Sequence, residues 1–264
     1  MWDAFVGIFI NVLLYIYQLV GNFGVAIILF TILIRLLTHP LTVSQLKGTQ
    51  KMQDLQKDKR WIDIQAKYKG DKEKISQEQM KLYQELGINP LSSCLPTLIQ
   101  FPIIIGLYQA VIQALASTPV ELLKLTGHVY PWLLKVESLI PLNSQFLWMD
   151  LGSPERLNLP FLSFGIPVLA IVVTASTYIQ SKLMTPPSSS PGDQTAMMSN
   201  MMNLYMPFLM GYLALTLASG LSLYFLVSNI IGIAQYAILG KVNWRNLLPT
   251  RKPAADTPAV KGKK

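Results

Sequence analysis

The sequence predicts an all-α polytopic membrane protein, and three observations carry that prediction. Half of its 264 residues are hydrophobic against 14% charged, a balance that suits a membrane domain better than a soluble one. Apolar runs of roughly spanning length recur at about 21–46, 95–116, 161–183, 201–218 and 221–239. The basic residues concentrate between alternate runs, as the positive-inside rule requires of cytoplasmic segments. Together these predict one compact unit: five transmembrane helices, an N-terminal interfacial helix and a cytoplasmic helical hairpin.

Residues 1–20 contain no Lys or Arg, so the positive n-region of a secretory signal is missing and the segment is expected to stay on the mature protein. Trp2, Tyr15 and Tyr17 suit a membrane–water boundary, and Gly21-Asn-Phe-Gly24 breaks the segment from the apolar run after it. It reads as an interfacial helix, with a sixth span as the alternative. Residues 21–46 form the first span. Segment 47–93 holds ten Lys or Arg against seven acids, with Met52, Leu55, Trp61, Ile62, Ile75, Leu82 and Leu86 near helical spacing on either side of Lys69-Gly-Asp71. That is a cytoplasmic hairpin of two amphipathic helices, whose mixed charge suits a solvated surface more than a nucleic-acid groove, and no DNA partner is expected.

Residues 94–240 carry spans two to five. The loop 117–160 has only Lys124, Lys135 and Arg156 against four acids and is placed outside, where Pro119, Pro131, Pro141, Trp132 and Trp148 fold it along the surface. The link 184–200, with Thr185-Pro-Pro-Ser-Ser-Ser-Pro-Gly192, lies inside and leads into Met197, Met198, Met201, Met202, Met206 and Met210. That series reads first as ordinary packing, with a pliable surface for varied apolar segments as the alternative. The basic tail 241–264, with seven Lys or Arg, is expected to be disordered in the cytoplasm and to dwell on anionic lipid or ribosomal RNA, lipid anchoring being the plainer role. The N-terminus is thus outside and the C-terminus inside.

Arg35 interrupts the first span. If the helix enters the hydrocarbon near Gly21, then at ~1.5 Å per residue Arg35 lies about 21 Å along a ~30 Å path. A snorkelling side chain is the bland reading. Leu36, Leu37, Leu41, Val43 and Leu46 continue the apolar pattern past the charge, which favours a cation lining a wet cavity. Thr31 and Thr38 lie near it, and Gln100, Ser228 and Asn229 supply uncharged polar groups in spans two and five. Those facing one side would form a hydrophilic groove; the alternative is isolated hydrogen bonding between helices. Span three adds Thr174, Ser176 and Thr177; Thr174 and Ser176, which are not on one helical face together, fit that alternative better, whereas Gln100 fits the groove.

The sequence lacks the equipment of several other classes. It has no phosphate-cradling Gly-Lys-Ser or Gly-Lys-Thr loop and no helix motif with paired metal-binding histidines. Cys94 is the one cysteine, which excludes an internal disulfide and a multi-cysteine metal site. The predicted spans carry no carboxylate of the kind that coupled transporters bury. His39, followed by Pro40, reads as a bend in the Arg35 helix. No cofactor, metal or catalytic residue is expected, and the protein is read as a non-enzyme.

Several stretches carry a specific likeness. Gly24-Val-Ala-Ile-Ile-Leu-Phe-Thr-Ile-Leu-Ile-Arg-Leu-Leu-Thr-His-Pro-Leu41, Met80-Lys-Leu-Tyr-Gln-Glu-Leu-Gly-Ile-Asn-Pro-Leu91 and Cys94-Leu-Pro-Thr-Leu-Ile-Gln-Phe-Pro102 resemble the YidC/Oxa/Alb family of membrane protein insertases. Phe146-Leu-Trp-Met-Asp150 and Ser219-Gly-Leu-Ser-Leu-Tyr-Phe-Leu-Val-Ser-Asn229 agree in order and extend the likeness over roughly Leu19 to Gly240. It is closest to the compact bacterial form without the large periplasmic domain. The resemblance implies a five-helix insertase and chaperone of the bacterial plasma membrane, with a positively charged groove open to cytoplasm and lipid. By motif position Arg35 is the groove charge and Gln100 a polar groove residue. The implied partners are nascent membrane proteins and the lipid bilayer, with the SecYEG translocon, the signal recognition particle pathway and the ribosome as candidate partners. Ser92-Ser93 stands where Gly-Gly is common, and the tail is short beside relatives that dock ribosomes with long basic tails. From a different class, the competing reading is a channel or transporter for an anionic solute that uses Arg35 for selectivity.

Overall fold

The computed structural model describes residues 2–56, 58–68, 70–87, 95–115, 125–130, 142–157, 165–184 and 194–240. Within these, the side chains of residues 45, 46, 49, 52, 53, 56, 72, 95–99 and 194–203 lie outside the description. The expectations for Cys94, Ser92-Ser93, Pro119, Pro131, Trp132, Pro141, the 185–192 turn, the tail 241–264 and the first four methionines therefore fall outside it.

The described chain is mostly helical. It runs α1 (Trp2–Val20), α2 (Phe23–Leu37), α3 (His39–Gln56), α4 (Lys59–Lys67), α5 (Lys72–Glu85), α6 (Leu95–Ala114), β1 (Gln145–Phe146), β2 (Met149–Asp150), α7 (Val168–Met184), α8 (Gln194–Thr216) and α9 (Ser219–Ile238). By length and composition, α1 and α9 could each cross a membrane, while Phe23–Leu37, Gln100–Ala114, Val168–Met184 and Leu204–Thr216 are shorter apolar helices. The first predicted span, 21–46, is divided. Asn22 caps the start of α2 by accepting from the Val25 amide at 3.1 Å. After Leu37 the Thr38 amide closes on the Ile34 carbonyl, and a new helix begins at His39-Pro40, where proline brings no N–H to continue the old ladder.

α9 is the central post. It packs on α2, α7, α6 and α8, while α1 packs across α2 and α6, and α7 lies along α8. One apolar core joins Ile10 and Leu13 of α1, Phe23 and Ile27 of α2, Leu107 of α6, Val173 of α7 and Tyr224 of α9. The polar hairpin has its own small core, Leu55, Trp61, Leu82 and Tyr83, with Ile64 packed against it.

The predicted outer loop contributes a β-strap. Gln145 pairs with Asp150 and Phe146 with Met149 across a two-residue turn, where Leu147 takes φ +56°, a conformation unusual for a side chain of its size. With an antiparallel bridge between Leu157 and Ile166, this strap departs from the expected all-helical fold. The strap closes one end of the bundle. Phe146 lies where a Cβ on Gly24 would stand, so only glycine admits that ring at the start of α2. Ser219 and Gly220 donate their amides to the Ser153 and Leu151 carbonyls at 2.9 and 3.0 Å, satisfying donors that a helix start leaves open. Glu155 accepts from the Leu169 amide at 3.0 Å and from Trp148 Nε1 at 2.8 Å, which ties the strap to the start of α7.

Candidate functional site

Below the strap, polar side chains from α2, α6 and α9 meet inside the apolar bundle. Tyr224 and Ser228 are one turn apart on α9 and so share a face. Ser228 Oγ accepts from Arg35 Nε at 2.9 Å and also from Arg35 Nη2. Gln100 Nε2 donates to the Tyr224 hydroxyl at 2.5 Å, joining α6 to the same face. Farther along α9, Gln235 Nε2 lies 3.4 Å from the Arg35 carbonyl and 3.3 Å from His39 Nδ1. Its Oε1 is buried with no hydrogen-bond partner among the described residues.

The charge balance is the notable property of this cluster. Among the described residues the ion pairs are Arg60–Asp58, Lys74–Asp71 and Lys81–Glu78, all in the polar hairpin. Arg35 is half-buried and is met by a hydroxyl, not a carboxylate. A guanidinium has five N–H donors and no acceptor, so one serine oxygen leaves capacity for an anionic or carbonyl-bearing visitor. No group of three or more His, Cys, Asp or Glu that could hold a metal occurs among the described residues.

The predicted site residues divide. Arg35 and Ser228 are in direct contact, and Gln100 reaches their neighbour Tyr224. Thr31 is fully buried and donates to the Ile27 carbonyl of its own helix at 2.6 Å. Thr38 donates to the Ile34 carbonyl at 2.8 Å and serves the end of α2. Asn229 turns to α7, where its Nδ2 donates to Ser176 at 3.0 Å and Thr177 at 2.8 Å. Tyr224 and Gln235 belong to the cluster without having been singled out, and His39 joins it through Gln235. Their positions one turn before Ser228 and two turns after it were the available signal.

The sequence profile described as 60Kd inner membrane protein matches residues 15–245. The chain belongs to the YidC/Oxa/Alb family. Among its family relatives, the "Membrane protein insertase YidC" of Clostridium perfringens is 34% identical over 245 residues, covering 91% of this chain and 85% of that protein. The YidC of Syntrophobacter fumaroxidans is 36% identical over 230 residues. A solved structure, "Active YidC insertase crystal structure with the first transmembrane domain resolved", superposes with a TM-score of 0.57 at 27% identity, covering 89% of this chain. The chain spans 36% of the length of the Syntrophobacter protein and 46% of the solved YidC chain. Membership in the YidC/Oxa/Alb family carries a membrane location with it, in keeping with two helices long and apolar enough to cross a bilayer.

Proposed function

We propose that this protein inserts nascent membrane proteins into the bacterial plasma membrane and assists their folding, through a hydrophilic groove built on Arg35, Ser228, Tyr224 and Gln100. One observation carries the reading. Arg35 stands inside an apolar bundle with the Ser228 hydroxyl as its partner and no carboxylate paired to it among the described residues. A short acidic segment of a substrate would gain more from that charge than from the same charge in bulk water, because the surrounding dielectric is low. The substrate's apolar span would then partition into lipid at ~0.8 kcal/mol per buried CH₂, which drives release without nucleotide.

What favours insertion over conduction of an anion is the strap. Residues 145–155 bond to the starts of α7 and α9, across the end through which a solute would have to leave. The proposed orientation puts that end outside and the hairpin and C-terminus in the cytoplasm, where the hairpin would meet the SecYEG translocon, the signal recognition particle pathway or the ribosome.

Protease protection of a single-span substrate with an acidic outer tail, in nucleotide-free liposomes, tests the proposal. Wild type should protect the tail, Arg35→Ala should lower protection about tenfold, and Arg35→Lys should recover part of it, since one lost charged contact of ~1.4 kcal/mol is a factor of ten. Equal protection by Arg35→Ala would refute capture by this charge. Efflux of a small anion from sealed vesicles holding only this protein would favour the transporter instead.

A further inference from the structure

From the furrow between α7 and α8 and the lysine at its end, we infer that this protein holds one anionic phospholipid, with an acyl chain in the furrow and its headgroup phosphate on Lys182. The furrow lies on the outward side of the helix pair. Its walls are Ile171, Tyr178, Leu204, Phe208 and Tyr212, all with 40% or more of their surface exposed, and Ala175 forms part of its lining. The two helices approach closely at Gly211, where Thr174 Oγ1 fills the place a Cβ would take. The furrow is open along its outward side and holds a space of about 750 Å³.

Size and charge together select the occupant. From Pro167 to Tyr178 the furrow runs about 17 Å at 1.5 Å per residue, close to one leaflet of a ~30 Å hydrocarbon core. A single extended acyl chain can lie along that length between the exposed side chains of the two helices. The furrow is not apolar to its end. Lys182 lies one turn beyond Tyr178 on the same face, with its Nζ 4.9 Å from the Tyr178 ring centroid, so a cation stands at the lip of an acyl-length slot. An amphiphile with a phosphate at one end matches that arrangement. Lys182 stands in the last turn of α7, two residues before the link 184–200 assigned to the cytoplasm, so the lipid belongs to the inner leaflet, where anionic headgroups draw basic residues. The leaflet rests on the proposed orientation; the binding does not.

Native mass spectrometry of the purified full chain, delipidated and then given phosphatidylglycerol or phosphatidylcholine with identical acyl chains, tests the site without reference to insertion. Wild type should retain phosphatidylglycerol about fivefold more than phosphatidylcholine, the effect of one lysine near an anionic headgroup. Lys182→Gln should remove the preference and keep the weaker retention common to both lipids. Ala175→Trp, which fills the slot from a lipid-exposed position, should lower retention of both. Equal retention of the two lipids by wild type, or a preference that survives Lys182→Gln, would overturn the inference. If Ala175→Trp does not fold, the Lys182→Gln comparison still decides it.

Discussion

Ser228 and Asn229 are adjacent on α9 and about 100° apart around it, so they face different helices. Ser228 takes the Arg35 guanidinium, and Asn229 donates to Ser176 and Thr177 on α7. Their alanine variants should therefore fail differently. Asn229→Ala removes two interhelical hydrogen bonds, which average ~0.6 kcal/mol each in membrane proteins; unfolding in bilayer or detergent should show a loss of about 1 kcal/mol, with substrate protection within about twofold of wild type. Ser228→Ala leaves the guanidinium without its described hydroxyl partner, and protection of an acid-tailed substrate should fall severalfold. Both residues were legible in the sequence as polar groups in an apolar run, as were Arg35 and Gln100. Which of them faces Arg35 was not, because helical phase against a neighbour is decided by packing. Thr31 and Thr38 show the same gap from another side. A threonine hydroxyl in a helix has a backbone carbonyl within reach one turn back, and that local bond competes with any groove. Tyr224 offered only its place one turn before Ser228, because its ring suits a core and its hydroxyl acquires meaning only beside Gln100.

At the scale of elements, the polar hairpin depends on two aspartates. Asp58 accepts from the Arg60 amide at 2.9 Å and Asp71 from the Lys74 amide at 3.2 Å, each at a helix start. Gly70, at φ +105°, makes the turn before α5 and was readable as a breaker. The division between α3 and α4 at Asp58 was not, because apolar spacing continues across it from Leu55 to Trp61. Those two side chains then pack with Leu82 and Tyr83 of α5, the Trp61 and Tyr83 ring centroids 5.5 Å apart. The amide and ammonium of Lys74 hold the Asp71 carboxyl below its ordinary range. A depressed carboxylate contributes stability that is complete above its unfolded pKa and is lost as pH falls through the folded value. The first turn of α5 should thus be equally ordered from neutral pH down to the usual carboxylate range, and should loosen only in stronger acid. Hydrogen exchange at the Lys74 and Ile75 amides reads this directly. Asp71→Ala should exchange faster at those amides already at neutral pH, and an unchanged rate would remove the cap from the account.

For the whole molecule, the contacts bear on how α1 sits in the membrane, since its length and composition alone would let it cross. Its neighbours lie toward one end of the bundle. Trp2 Nε1 donates to Gln109 Oε1 at 2.8 Å, Asn11 Nδ2 donates to the His128 carbonyl at 2.8 Å while its Oδ1 accepts from the Tyr130 amide, and the Tyr17 hydroxyl accepts from the Asn143 amide at 3.1 Å. Residues 128, 130 and 143 belong to the loop assigned to the outside. The deeper contacts are Phe5 and Phe9 beside Gly106 and Phe9 beside Phe30, only about 10–12 Å along α6 and α2 from their outer ends. A helix crossing from one side to the other would meet the outer loop near one terminus alone, whereas α1 meets it from its middle to its end and touches α6 near that level with its first residue. The contacts therefore favour a helix lying obliquely within the outer leaflet, with both ends outside. Single cysteines at position 2 or 21, in a Cys94→Ser background, distinguish the two arrangements in right-side-out vesicles treated with an impermeant maleimide. Trp2→Cys and Gly21→Cys should both label before the vesicles are opened, while a crossing α1 would leave Trp2→Cys protected until lysis. The same assay on a cysteine replacing Gln77 in the polar hairpin should label only after lysis, because the basic segment 47–93 is assigned to the cytoplasm. A hairpin that labelled from outside would invert the orientation and, with it, the direction in which Arg35 could receive a substrate.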